Sequence, residues 1–200
     1  MPTPVVEYRS THKLEIREAA KPGIIGTLVG YAAVFNSESQ DFGGWKEVIK
    51  PGAFTRSLKE KPDVRAFYQH NTAKVLGRSA AGTLRLKEDD HGLAIEIDLI
   101  DTQENKDVLA NVKAGNLDAM SFGMVPQEHT WDFNKDRGYD LRILKDVDLY
   151  EVSVVTWPAY EDTEVAVRSR NTFKEEQSSK KPTTPFRLLR LRQARLHITN

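Results

Sequence analysis

Apolar and polar residues alternate along much of the chain, and this pattern favours β-strands. Thr83–Lys87 and Leu93–Leu99 alternate on either side of a short polar turn, which predicts a β-hairpin. Ile24–Phe35 is rich in β-forming residues, and Gly26 and Gly30 within it favour bulges or bends. The first half of the chain is therefore expected to be rich in strands.

The remaining strong strand patterns lie around and after the middle of the chain. They are Val64–His70, Leu117–Val125, Leu141–Leu144 and Leu149–Thr156. Pro126 is expected to end the second of them, because proline cannot donate to a strand ladder. The polar segment Gln127–Tyr139 has no sustained period and predicts a loop.

Two short segments have helical character. The first follows Pro51 and should end near Pro62, since proline suits the first turn of a helix and not its interior. The second has Asp101 and Glu104 at the spacing of a capping box and Gly115 as a stop signal. About six strands with two short helices predict a mainly β fold, a closed β-barrel or a strongly curved sheet, and not a doubly wound α/β fold.

Composition limits the class of protein. A length of 200 residues suits one domain with an appendage, and a hydrophobic fraction of 39% is enough for a core. The mean hydropathy of −0.53 and the lack of any apolar run of about 18 residues predict a soluble protein without a membrane span. The absence of cysteine suits a cytosolic setting. We also expect no signal peptide. The sequence has no cysteine, which excludes disulfides, thiolate nucleophiles and cysteine-bound zinc.

The neutral formal charge hides an asymmetry between two regions. Residues 169–200 carry eight Lys and Arg against two Glu, a net charge of +6, so residues 1–168 carry −6. We predict a domain over 1–168 and a basic tail over 169–200 that is flexible, with a partly helical end. Because the body is acidic and lacks an aromatic and basic stripe, nucleic-acid binding is disfavoured.

Three residues could carry acyl-transfer chemistry if the fold brings them together. Ser121 lies in the apolar run Ala119–Met124, His70 ends a predicted strand, and Glu151 opens an apolar strand. A histidine suits a general base, and a carboxylate can orient it. The glycine at 123 makes the backbone around Phe122–Gly123 a candidate donor to an oxyanion.

Each of these residues also fits an inert role. Ser121 could be a small strand residue, His70 a surface or structural histidine, and Glu151 a solvent-facing residue of an edge strand. Asp148 is the nearest substitute for Glu151. None of the five histidines has metal-ligand spacing, so neither a metal nor another cofactor is expected.

From about Gly30 to Ala166 the chain resembles the prohead (procapsid maturation) serine proteases of tailed bacteriophages. Each matching block is short, but their joint occurrence in this order is specific. The blocks are Gly30–Asn36, Glu47–Phe54, Tyr68–Asn71, Leu76–Arg78, Gly115–Gly123 and Leu149–Tyr160.

The resemblance implies a fold and a site. The family is similar to herpesvirus assembly proteases, so a closed β-barrel flanked by short helices is implied. The family pattern makes Ser121 the nucleophile and His70 the general base. The third member is Glu151, Asp148 or His129. His129 is included because the related viral enzymes use a second histidine. Glu151 fits the family's blocks best, and we predict it to orient His70.

The resemblance also implies substrates and a setting. The expected substrates are the scaffold, the major capsid protein and the protease's own tail, inside the assembling procapsid in the host cytoplasm. The basic tail is expected to bind scaffold and to be removed by self-cleavage, and a homo-oligomer is compatible with this setting. The competing hypothesis is a non-catalytic β-barrel that acts only in capsid assembly.

Overall fold

The computed structural model describes residues 5–12, 14–19, 21–61, 63–157 and 170–175. The chain divides into two units, Met1–Thr163 and Glu164–Asn200. Of the second unit only 170–175 are described, and they form a short helix where the sequence predicted a flexible tail. The rest of the predicted tail lies outside the described residues, so the boundary at 168 stays a prediction.

The first unit is mainly β, which confirms the expected class. The described residues of this unit form ten strands, two helices and two 3₁₀ turns. They are β1 (Glu7–His12), β2 (Leu14–Arg17), β3 (Ile24–Val34), β4 (Trp45–Ile49), α1 (Thr55–Glu60), β5 (Arg65–Tyr68), β6 (Asn71–Arg78), a 3₁₀ turn (Ser79–Ala81), β7 (Leu84–Glu88), β8 (Gly92–Ile100), α2 (Gln103–Lys113), β9 (Ala119–Asp132), a second 3₁₀ turn (Lys135–Arg137) and β10 (Asp140–Val155).

A six-stranded sheet forms one layer of the unit. Its strands follow the order β1-β9-β10-β5-β6, and β4 also pairs with β10. The long strand β10 pairs in parallel with β4 through its first half and with β5 through its second half. It is antiparallel to β9 along nearly its whole length. This sheet carries all three residues of the predicted site.

The second layer is a four-stranded antiparallel sheet in the order β2-β3-β8-β7. Along the described strands the chain passes from one sheet to the other four times, between β1 and β2, β3 and β4, β6 and β7, and β8 and β9. Among the described strands, backbone pairing defines two separate sheets, so closure into a single barrel stays a prediction.

The hydrophobic core lies between the two sheets. Alternate residues of each strand point inward, as the period of two requires. From the six-stranded sheet come Met120, Phe122, Met124, Val152 and Val154, and from the four-stranded sheet come Leu28, Leu93, Ile95, Ile97 and Leu99. Helix α2 adds Val108, Leu109 and Val112.

Several predicted boundaries were wrong. Pro126 does not end its strand, and the segment predicted as a loop continues β9 to Asp132. Pro126 pairs with Val147 beside register shifts, which accommodate a residue that has no N–H. The two strands predicted after Tyr139 are one continuous strand, β10.

The two predicted helices are present with altered ends. Helix α1 begins at Thr55, a few residues after Pro51. The N-cap of α2 is Thr102, whose side chain accepts a hydrogen bond from the backbone N–H of Asn105, so the predicted capping box at Asp101 is wrong. None of the helices in the described parts of the chain is long and apolar enough to cross a membrane.

Candidate active site

The outer face of the six-stranded sheet carries Ser121. Because Met120 and Phe122 point into the core, the side chain of Ser121 between them points to the opposite face. Gly123 follows on the same face. Ser121 is nevertheless fully buried, so other groups cover it from above.

Strand register brings further residues beside the serine. Ser121 lies opposite Ser153 of β10 on one side and Ser10 of β1 on the other. Gly123 lies opposite Glu151 of β10. Since residues 151 and 153 share a face of β10, Glu151 lies on the same outer face as Ser121.

His70 reaches this face from a tight turn. Tyr68 pairs with Asn71, so Gln69 and His70 form the two-residue connection of the β5–β6 hairpin. Both have positive φ, 57° and 55°, as both central residues of a type I′ turn require. The backbone N–H of Gln69 donates to the carbonyl of Val154, which fixes the turn against β10.

The His70 ring contacts Glu151 directly. Nδ1 of His70 lies 2.7 Å from Oε1 of Glu151. An ionised carboxylate can only accept, so Nδ1–H donates, and in the neutral imidazole Nε2 is then an acceptor. Among the described residues, the buried Nε2 of His70 and the buried Oγ of Ser121 have no hydrogen-bond partner. The two atoms therefore stop short of a hydrogen bond with each other in this structure.

Three neighbours support the His70–Glu151 pair. The hydroxyl of Ser153 donates to Oε2 of Glu151 at 2.6 Å, so both carboxylate oxygens are bonded. The ring of Tyr8 lies against the His70 ring, with centroids 4.3 Å apart. A Cβ on Gly123 would lie 3.0 Å from Oε1 of Glu151, so only glycine leaves room for the carboxylate.

Sequence reasoning missed Ser153 and Tyr8. The position of Ser153, two residues after Glu151 on a predicted strand, was a usable signal because such residues share a face. Tyr8 gave no signal, since its contact depends on how β1 joins the sheet.

The two alternative third members lie elsewhere. Asp148 is bonded by Arg56, Lys61 and Gln127. His129 lies eight residues beyond Ser121 on β9, roughly 25 Å along an extended strand. Burial lowers the pKa of His129 to about 4, and the nearby Arg142 adds to this, so its imidazole is neutral at pH 7.

The backbone at Phe122 and Gly123 is unsuited to hold an oxyanion. Strand β9 lies between β1 and β10, and both residues pair on each side. Backbone N–H groups of such a central strand lie in the plane of the sheet and point at the neighbouring strands. These pairings contradict the oxyanion donor predicted there.

Within the described residues, no cluster of three or more histidine, aspartate or glutamate side chains could hold a metal ion. The outer face instead offers a hydroxyl, an imidazole whose acceptor nitrogen is unpartnered, and a carboxylate held at both oxygens. These groups are the components of serine acyl transfer.

Comparison with known proteins adds a family and a fold. Residues 12–178 match the sequence profile of the caudovirus prohead serine proteases. The structure of the bacteriophage T4 capsid assembly protease, gp21, is similar, with a TM-score of 0.55 at 12% identity, over 77% of this chain and 98% of that one. No curated protein sequence matches the chain.

Proposed function

The chain belongs to the caudovirus prohead serine protease family, and on this basis we propose that it is a serine endopeptidase of phage head maturation. The observation that carries the proposal is the 2.7 Å hydrogen bond from His70 to Glu151 on the sheet face that bears Ser121. All three residues lie inside the segment that matches the family.

In the proposed mechanism Ser121 is the nucleophile and His70 the general base. Nε2 of His70 takes the hydroxyl proton while Oγ attacks the carbonyl carbon of the scissile peptide. The imidazolium then gives that proton to the leaving amine, and water, activated by the same nitrogen, releases the acyl group. Glu151 keeps the tautomer with a proton on Nδ1 and stabilises the imidazolium.

The mechanism requires two movements from the described arrangement. Ser121 is fully buried, so a peptide carbonyl can meet its Oγ only after the groups above the sheet move aside. Nε2 and Oγ must also approach to hydrogen-bond distance, a tightening that is common when a substrate binds.

The proposed substrates are the scaffold and the major capsid protein, inside the procapsid in the host cytoplasm. This rests on the family and on the similarity in fold to a capsid assembly protease. The alternative is a non-catalytic assembly component of the same fold, in which Ser121 is inert.

Intact-mass analysis after co-expression with the capsid protein separates these functions. Wild type should yield processed capsid fragments, and Ser121→Ala should yield none. Ser57→Ala is the matched control: Ser57 is also fully buried, but its Oγ accepts from the backbone of Leu149, away from His70. Normal processing by a folded Ser121→Ala protein would reject the peptidase assignment.

The basic residues after position 168 are proposed to bind acidic scaffold and then to be removed by self-cleavage. Their net charge of +6 opposes the −6 of the body and suits an acidic partner. A full-length variant with Arg187, Arg190, Arg192 and Arg195 changed to Gln should lose scaffold co-assembly. Weakened binding to DNA, with scaffold binding intact, would instead assign these residues to nucleic acid.

A further inference from the structure

The hydroxyl of Ser153 lies next to the His70–Glu151 pair and takes part in no step of the mechanism above. Ser153 is fully buried, and its Oγ donates to Oε2 of Glu151 at 2.6 Å. The other oxygen, Oε1, accepts from His70 at 2.7 Å. We propose that Ser153 is a positioning residue that fixes the Glu151 carboxylate for His70, an inference that rests on the proposed peptidase function.

The hydrogen bond from Ser153 restrains a rotation of the Glu151 carboxylate that the bond from His70 leaves free. A glutamate side chain has three rotatable bonds, so one contact at Oε1 does not fix the plane of its carboxylate. The bond from Ser153 to Oε2 fixes that plane. Residues 151 and 153 share a face of β10, so the strand itself sets the geometry of this bond.

Ser153 is not a second nucleophile, although it lies directly opposite Ser121 in the strand register. A carboxylate carries no proton to give, so the hydroxyl proton of Ser153 points at Glu151. The Oγ of Ser121 has no such partner among the described residues and is the one available to the imidazole. The two neighbouring serines therefore have different roles.

Loss of the Ser153 hydroxyl should act on turnover more than on substrate binding. Removing a partner that orients a metal-binding side chain typically costs about 10- to 100-fold, and we expect an effect of similar size for a partner that orients Glu151. We expect Ser153→Ala to lower kcat by this factor and to leave KM within about twofold. A carboxylate that has lost a donor attracts the imidazolium more strongly, so the acidic limb of the pH–rate profile should move to higher pH.

The experiment compares full-length variants in cleavage of the capsid protein across pH. Ser153→Ala and the near-isosteric Ser153→Cys remove the strong donor, Ser153→Thr keeps it, and Ser57→Ala removes a buried hydroxyl of α1 that contacts β10 at Leu149. The first two should lose turnover and shift the acidic limb, while the last two should match wild type. A Ser153→Ala profile that matches Ser57→Ala, or a folded Ser153→Thr as impaired as Ser153→Ala, would overturn the proposal.

A spectroscopic readout separates this inference from the peptidase function. The Nδ1 proton of His70, bonded to a carboxylate, should give a downfield proton resonance. It should broaden or vanish in Ser153→Ala and Ser153→Cys and persist in Ser57→Ala. Failure of the peptidase function appears as equal cleavage by wild type and Ser121→Ala. An unchanged resonance in Ser153→Ala defeats the positioning role whether or not cleavage occurs.

Discussion

His70 occupies a left-handed backbone conformation that residues other than glycine adopt uncommonly. It and Gln69 both have positive φ, in a turn where glycine or asparagine is usual. Each such residue costs about 1 kcal/mol or more, and strain of this kind concentrates at functional sites. The turn holds the imidazole over the strand face that bears Ser121 and Glu151, where the proposed mechanism requires it.

Gly123 sets how closely the carboxylate can approach the strand. A Cβ there would lie 3.0 Å from Oε1 of Glu151 and 2.9 Å from Cγ1 of Val6. Glu151 is bonded at both oxygens and cannot yield without stretching a bond. The neighbours would have to move by a few tenths of an ångström, so we expect Gly123→Ala to lower kcat/KM by less than the roughly 100-fold of a full 1 Å misplacement, on the order of 10-fold. Cleavage assays and thermal unfolding would measure it.

Gly26→Ala is the matched control for this substitution. Its Cβ would meet the flexible end of Leu109 at 3.1 Å, in the core and away from the site. It should cost about 1–3 kcal/mol of stability with unchanged kcat/KM. Equal activity losses in the two variants would mean that Gly123 acts only through the fold.

The proposed role of Glu151 as the carboxylate that orients His70 can be tested by two isosteric changes. Glu151→Gln keeps the side-chain shape but removes the charge that holds the His70 tautomer, so kcat should fall by about 10³-fold or more. Asp148→Asn should retain most activity, because Asp148 contacts Arg56 and Lys61 and not His70. Single-turnover cleavage would measure both. The reverse ranking would make Asp148 the orienting carboxylate.

At the scale of elements, strands with one apolar and one polar face were predictable and others were not. The β7–β8 hairpin was predicted correctly from alternation alone. The far half of β9 was missed because its exposed residues are polar and because Pro126 was expected to end the strand. What holds that half is tertiary: Trp131 packs edge-on against Trp45, with centroids 5.2 Å apart, a contact that local sequence does not reveal.

Local sequence alone did not predict the residues of the site. Ser121, His70 and Glu151 each looked inert alone, and the resemblance to a family selected them. The contact between His70 and Glu151 depends on parallel pairing of β5 with β10, residues about 85 positions apart. A local pattern carries no information on such pairing.

Asp98 links three strands of the four-stranded sheet and gives it a pH dependence. It accepts from Arg85 on β7 and from Thr27 on β3. The hydrogen bonds from Arg85 lower the pKa of Asp98 to about 2, below the 3.8 of a free aspartate, even though burial opposes this. A depressed pKa stabilises the fold above the unfolded value, and that contribution is lost as pH falls towards 2.

Replacing Asp98 by Asn should therefore lower the free energy of unfolding at pH 7 by about 2 kcal/mol. Between pH 5 and 2 the variant should lose less further stability than wild type, since it has no carboxylate to protonate there. Urea unfolding at several pH values would measure this. Asp90→Asn, an equal charge change at an exposed turn position, should leave the wild-type pH dependence intact; parallel curves for wild type and Asp98→Asn would refute the linkage.

At the scale of the whole unit, the N-terminal strand β1 was not predicted because its inward face is charged. Glu7 and Arg9 point to the core side of the sheet, where they join Glu47 of β4 and Arg142 of β10 in a buried network. Burial alone would raise the pKa of Glu7, but Arg142 and Arg9 hold it below its usual value. Two arginines balance two glutamates, so the inward face of β1 carries ion pairs in place of the apolar side chains that an alternating pattern would show.

This network joins the start of the first unit to β4 and β10, so breaking it should disturb the whole fold. Arg142→Met leaves two buried carboxylates facing one arginine and should cost about 3–5 kcal/mol in chemical denaturation. Arg17→Met, which breaks an exposed pair with Glu96, should cost less than about 1 kcal/mol.

The double variant Glu7→Gln with Arg142→Met distinguishes charge balance from packing. It again leaves equal numbers of buried charges, with Arg9 still paired to Glu47 at 2.6 Å, so it should recover more than half of the stability lost by Arg142→Met. Cleavage of the capsid protein should fall and recover together with this stability, because Tyr8 on the same strand packs against His70. If the second substitution instead adds to the loss, shape and not charge balance holds β1 in the sheet.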